Sequence, residues 1–196
     1  PLGWREHVAD LDAVLTGLAS QPTCVLGFSW GGLLALLHAV AHPGRVSRLA
    51  LVAPAPTYPE ASAAYSAEFE RRQNAPAVAE ARAALSSSGR RERDPDEFWR
   101  RAFALSVAGY FREPSRAVNL TPFRVSSRAQ HAVWHSLAGT DLRDSLGDIT
   151  ADTLILHGRY DPVPLEASEV LAARIPHARL VVFEDSGHTI YTEETE

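Results

Sequence analysis

The pentapeptide Gly27-Phe28-Ser29-Trp30-Gly31 constrains this chain more than any other feature. It follows the apolar run Thr23-Cys24-Val25-Leu26 and precedes Leu33-Leu34-Ala35-Leu36-Leu37. A short apolar run ending at a glycine predicts a buried strand, and the longer apolar stretch beyond predicts a helix. The segment therefore reads strand, tight turn, helix, with a serine at the apex. A serine hydroxyl is a poor nucleophile in ordinary surroundings. A sharp turn lifts it clear of the sheet and aims a helix N-terminus near it, where negative charge is favoured. Gly27 and Gly31 are expected to permit the turn, because a Cβ at either position would crowd the neighbouring strand and helix.

The rest of the chain supplies a sheet for that strand to join. Val8, Leu11, Val14, Leu15 and Leu18 have helical spacing and predict a helix over 5–19. A helix over 31–41 ends at Pro43-Gly44, and a second buried strand is expected over 46–53. Strand, helix and strand with such short links make a right-handed parallel crossover. Between 54 and 148 the composition shifts to Ala, Arg, Glu and Ser, and helices are predicted over 59–72, 77–87, 95–110 and 122–137. The charged stretch 89–94 reads as a solvated loop. Strands resume over 153–156 and 179–183, with a helix over 164–174 between them. The expected fold class is α/β: a parallel sheet flanked by helices, with core segments 1–55 and 149–196 and a helical lid over 56–148. An insertion placed after a strand is where a lid over a pocket sits.

Composition narrows the function classes. The 196 residues include 45% hydrophobic residues and carry a net charge of -5. Neither nucleic acid nor an anionic membrane is an expected partner. No stretch approaches the roughly eighteen apolar residues of a spanning helix. The single cysteine, Cys24, rules out an internal disulfide and suits a reducing, cytoplasmic compartment. Cys24 itself is expected to be a small buried hydrophobe.

A serine nucleophile needs a base to take its proton and a carboxylate to orient that base. Asp161 follows the third predicted strand, in His157-Gly158-Arg159-Tyr160-Asp161-Pro162. His188 follows the fourth, in Asp185-Ser186-Gly187-His188. Loops after parallel strands open at one carboxyl edge, so Ser29, Asp161 and His188 are expected on one rim. Glu184 and Asp185 compete weakly as the carboxylate, because they sit beside the base. His38 and His42 are expected to be partly exposed, and His157 to belong to the core or to support the site. His131 and His135 have zinc-like spacing, but a packed helical pair is the favoured reading. No metal and no cofactor are expected.

These motifs resemble the α/β-hydrolase superfamily: Gly27 to Gly31 its nucleophile elbow, Gly158 to Asp161 its acid loop, Gly187-His188 its base loop. Trp30 and Gly31-Gly32 are similar to the proline iminopeptidase branch and related small esterases. The resemblance implies an acyl-enzyme formed by Ser29, with His188 shuttling the proton, Asp161 holding the imidazole and the Trp30 backbone N–H in the oxyanion hole. A small-molecule or short-peptide substrate is implied. Phe28, Trp99, Phe103, Tyr110, Phe111 and Trp134 are candidates to line its pocket. In the iminopeptidase reading, Glu68, Glu70, Glu97 or Glu113 would hold a free amino terminus. A low-turnover binding protein on the same fold is the alternative of another class.

Relative to that family, the chain lacks a second oxyanion loop and about half the sheet. An N-terminal segment of the same domain is therefore expected as a partner. Without it, one face of the strand 23–26 would be left to water, and the segment would fold poorly and turn over little.

Overall fold

The structure is a computed structural model, and it describes residues 3–18 and 22–195. It begins with helix α1 (Trp4–Leu18), strand β1 (Thr23–Phe28), helix α2 (Trp30–Ala41) and strand β2 (Val46–Val52). Five helices follow: α3 (Pro59–Gln73), α4 (Pro76–Ser87), α5 (Arg90–Arg93), α6 (Pro95–Val107) and α7 (Ser127–Ser136). Strand β3 (Asp152–Gly158), helix α8 (Leu165–Arg174), strand β4 (Ala178–Phe183) and helix α9 (Ile190–Glu193) complete it. The four strands form one parallel sheet in the order β1-β2-β3-β4. The expected crossovers β1-α2-β2 and β3-α8-β4 are both present.

One face of the sheet carries the main core. Leu49 and Leu51 of β2 and Ile155 of β3 pack with Leu33, Leu36 and Leu37 of α2 and with Leu171 of α8. All of these side chains are essentially out of water. Leu142, Leu146 and Ile149 join the same cluster, so the chain returns to the core before β3 begins. A second cluster lies within the insertion, where Val78, Ala104, Val107, Phe111, Ala117 and Leu120 pack together.

The opposite face is partly open among the described residues. Register aligns Leu26 with Ala50 and Ala50 with Leu154, in one row. Leu26 is 70% exposed, Ala50 and Leu154 are half-buried, and β1 stands at the sheet edge. Cys24 is exposed too, contrary to the buried position expected. The cause is pleat: Cys24 and Leu26 point to the open face, while Val25 packs on the covered core. On α1 the apolar stripe is only partly used, since Val8 is buried but Val14 and Leu18 are exposed.

Three sequence expectations change in the insertion. Residues 90–93 wind into α5 where a loop was expected. The helix after Pro95 ends at Val107 and tightens into a 3-10 turn over Ala108–Tyr110. The helix expected from 122 starts at Ser127, because the Ser126 hydroxyl accepts the Ala129 N–H and caps it there. The predicted helix over 5–19 runs Trp4–Leu18, and residue 19 lies outside the described residues.

Candidate active site

Ser29 sits between β1 and α2 with φ 52° and ψ −119°, a conformation few non-glycine residues adopt. The surroundings hold it there. Its N–H donates to the Val52 carbonyl at 2.9 Å, and its carbonyl accepts from Ala55 at 3.1 Å and from Gly32 and Leu33. A Cβ on Gly27 would collide with the Gly31 carbonyl, so only glycine fits there. Gly31 differs from expectation: a Cβ there meets nothing. The second crowded position is Gly32, whose Cβ would press on the Gly27 carbonyl and Pro54. Trp30 opens α2, so its N–H has no acceptor within the helix.

The serine hydroxyl meets a histidine 159 residues later in the chain. His188 Nε2 lies 2.9 Å from Ser29 Oγ, and His188 Nδ1 lies 2.8 Å from Asp161 Oδ2. The pair His188–Asp161 is buried. The second Asp161 oxygen accepts the Val163 N–H at 2.7 Å, which fixes the carboxylate plane. With Nδ1–H donated to Asp161, Nε2 is left to accept the serine proton. The expected convergence on one rim is therefore present in the geometry.

The acid and base loops are packed backbone against backbone. A Cβ on Gly158 would collide with the Gly187 carbonyl, and one on Gly187 with the Tyr110 carbonyl. The Tyr160 N–H donates to Ser186 at 2.9 Å and the Arg159 N–H to Phe183 at 2.8 Å. His157 is fully buried beneath them. Its Nε2 lies 3.1 Å from the Val163 carbonyl and its Nδ1 2.8 Å from Ser168 Oγ. The tautomer that satisfies both contacts donates from Nε2 and accepts the Ser168 hydroxyl at Nδ1. Burial holds the His157 imidazole below its ordinary pKa, so it stays neutral and braces the acid loop. Glu184 and Asp185 are turned outward to Arg159 and Arg112 and leave the site to Asp161.

Aromatic rings enclose the imidazole. The Tyr110 ring stacks on His188 with centroids 4.8 Å apart, and Phe28 lies 5.1 Å away. The Tyr110 hydroxyl is 3.1 Å from the hydroxyl of Tyr65, on α3. Burial raises the pKa of both phenols, so they remain neutral. Of the other expected pocket residues, Trp134 lies edge-on to Trp30 at 5.9 Å. It also lines a cleft of about 230 Å³ with Leu33, Pro56, Thr57 and Leu142; Ser29 and His188 are not among its walls. Trp99 and Phe103 do not reach the site. Trp99 is 57% exposed under Arg91, and Phe103 packs on Phe123 and the insertion's own core. Phe111 is buried in that same core.

The remaining histidines fall into two groups. His131 and His135 stack in parallel on exposed α7. His38, expected to be partly exposed, is fully buried, with Nε2 3.2 Å from Asp12. Asp12, His38 and His42 have the spacing of three metal ligands. However, the Arg45 guanidinium stands 3.6 Å from the same Asp12 oxygen and already supplies a positive charge. Sequence reading missed Tyr65, Glu193 and Glu194, which contact the site's supports. Glu193 stands five residues after His188, and only its burial distinguishes it from a surface carboxylate.

Comparison with known proteins agrees with the fold. Residues 4–195 match the family model described as alpha/beta hydrolase fold. A pimeloyl-(acyl-carrier protein) methyl ester esterase from Aromatoleum aromaticum is 34% identical, the match covering 94% of this chain and 74% of that protein. A 2-hydroxymuconate semialdehyde hydrolase from Pseudomonas putida is 32% identical over 98% of this chain and 64% of its own length. The chain thus spans about two thirds to three quarters of these relatives. Among solved structures, an esterase from Exiguobacterium antarcticum superposes with a TM-score of 0.57 at 28% identity, covering 97% of this chain and 68% of that one. An alpha/beta fold family hydrolase from Bacillus anthracis shares the fold with a TM-score of 0.70 at 20% identity, covering 98% of this chain and 70% of that one. With the family model matched along almost its entire length, this chain belongs to the alpha/beta hydrolase fold family.

Proposed function

We propose that this chain carries the catalytic side chains of a serine hydrolase that cleaves a small carboxylic ester through an acyl-enzyme. The observation that carries the reading is the continuous contact Ser29–His188–Asp161, at 2.9 and 2.8 Å. Ser29 Oγ attacks the ester carbonyl while His188 Nε2 takes its proton. The same proton then passes to the leaving alcohol. Water, activated by His188, releases the acid and restores the serine. Asp161 stabilises the imidazolium without itself taking the proton. The Trp30 N–H supplies one donor to the developing oxyanion, and a single such donor contributes about 10²–10³ in turnover.

An ester is favoured over an amide by the relatives. The relatives' names include methyl ester esterases. The iminopeptidase reading needs a free acidic side chain for an amino terminus. Of its four candidates, Glu68 is engaged by Arg71 and Arg72 and Glu97 by Arg100 and Arg101, while Glu70 and Glu113 stand exposed. The helical layer between β2 and β3 would act as the lid. The open row Leu26–Ala50–Leu154 supports a further segment, outside this chain, that covers the sheet and brings a second oxyanion donor.

The test is a short-chain p-nitrophenyl ester assay beside a fluorophosphonate probe. The wild-type protein is expected to hydrolyse the ester and take the label at Ser29. Ser29→Ala should abolish labelling and lower kcat by about 10⁴–10⁶. Turnover that survives Ser29→Ala would sink the reading. Faster release from a proline arylamide than from the ester would move it to the aminopeptidase.

A further inference from the structure

The turn that carries His188 is gripped by the last helix. Glu193, on α9, is only 8% exposed. Its Oε2 accepts the Gly187 N–H at 2.8 Å, and its Oε1 accepts the Arg112 N–H at 2.9 Å. Glu194 Oε2 accepts the Asp185 N–H at 3.0 Å and also the Ser186 hydroxyl. The His188 N–H donates to the Tyr110 carbonyl at 2.7 Å. The backbone donors of 185, 187 and 188 are thus each given a partner. One carboxylate ties the base loop to segment 110–112, which contributes the Tyr110 ring stacked on the imidazole. Two N–H donors aimed at two oxygens are best met by the ionised carboxylate, which accepts fully at both.

We propose that Glu193 is a positioning residue, which holds Gly187 and Arg112 in register and thereby fixes the His188 imidazole between Ser29 and Asp161. The proposal rests on the serine hydrolase reading. One carboxylate holds two backbone segments, and both of them meet the imidazole. Burial is the dominant influence and pushes the Glu193 carboxyl above its usual range, while its N–H partners and Arg116 pull it back. Arg116 also donates to the Glu193 carbonyl at 3.0 Å; Arg112 faces Asp185, and Glu194 and His188 are the other titratable neighbours. A raised folded pKa means that the native state prefers the protonated form, so this group's contribution to stability falls as pH rises through that value.

Glu193→Gln separates the roles. The amide keeps the shape and removes the charge, but it can accept only one of the two N–H groups. Expected is a kcat for the p-nitrophenyl ester lower by about 10²-fold, the cost of a small misplacement of a catalytic group. KM should stay within about twofold, because Glu193 touches no substrate, and the thermal midpoint within about 4 °C. The low-field NMR signal of the His188 Nδ1 proton should shift or broaden. A kcat within about twofold of wild type with that signal unmoved overturns the proposal, and so does loss of the folded far-UV CD spectrum, which would make Glu193 a fold residue. If the wild type neither turns over nor takes the Ser29 label, the hydrolase reading fails. The response of the His188 signal to Glu193→Gln then decides the positioning alone.

Discussion

The two faces of the sheet both carry apolar side chains and are treated in opposite ways. On the covered face, Leu49, Leu51 and Ile155 are sealed under α2 and α8. On the other, Leu26 stands 70% exposed in a row with half-buried Ala50 and Leu154. Parallel strands normally have both faces covered, which is why they read as continuous apolar runs and not as an alternation. The covered face is therefore sealed within this chain, while the open row leaves apolar side chains to water. The loops carrying Ser29, Asp161 and His188 stand at the carboxyl edge of the sheet, between the two faces.

The strongest way to break the contrast is at the rim. Gly158→Ala would drive a Cβ into the Gly187 carbonyl, backbone against backbone, so the acid and base loops must separate. An activity loss of about 10²-fold or more is expected in the ester assay. Gly31→Ala, with open space at its Cβ, should cost less than about tenfold. Next comes the paired comparison within β3. Ile155→Ala should cost about 2–5 kcal/mol in urea unfolding, by transfer and cavity. Leu154→Ala, one residue away on the open face, should cost less than about 1.5 kcal/mol. Equal costs would erase the distinction between the faces.

Smaller effects sharpen it. His157 on the covered face is held neutral by burial, with its folded pKa below the usual 6.5. Its contribution to stability is complete above pH 6.5 and is lost as pH falls through the folded value, because the unfolded chain then binds the extra proton. The urea midpoint should therefore drop on acidification below pH 6.5, and His157→Gln should flatten that limb. Least of all, Leu26→Ser should change stability by no more than about 0.5 kcal/mol. Cys24 beside it should react with a maleimide without denaturant; a protected thiol would mean that this face is covered in solution.

The site was legible in the sequence because its parts follow strands. Ser29, Asp161 and His188 each stand just past a parallel strand, and parallel topology brings such positions to one edge. Strand existence read well for the same reason, from uninterrupted apolar runs. What stayed hidden depends on contact and not on period. The exposure of Cys24 follows from the uncovered face, which the apolar run 23–26 could not reveal by itself. The freedom at Gly31 and the crowding at Gly32 depend on where Pro54 passes. Trp99 and Phe103 share helical spacing on α6, yet one meets water and the other Phe123. Glu193 resembles any charged residue until its two backbone partners are seen.

Ser29 and His188 stand 159 positions apart, so their 2.9 Å contact exists only while β1 and β4 share one sheet. Loosening anywhere along that path parts the hydroxyl from the imidazole. In the serine hydrolase reading, covalent labelling of the serine is therefore a reporter of intact tertiary structure, and a slackened molecule holds an ordinary alcohol.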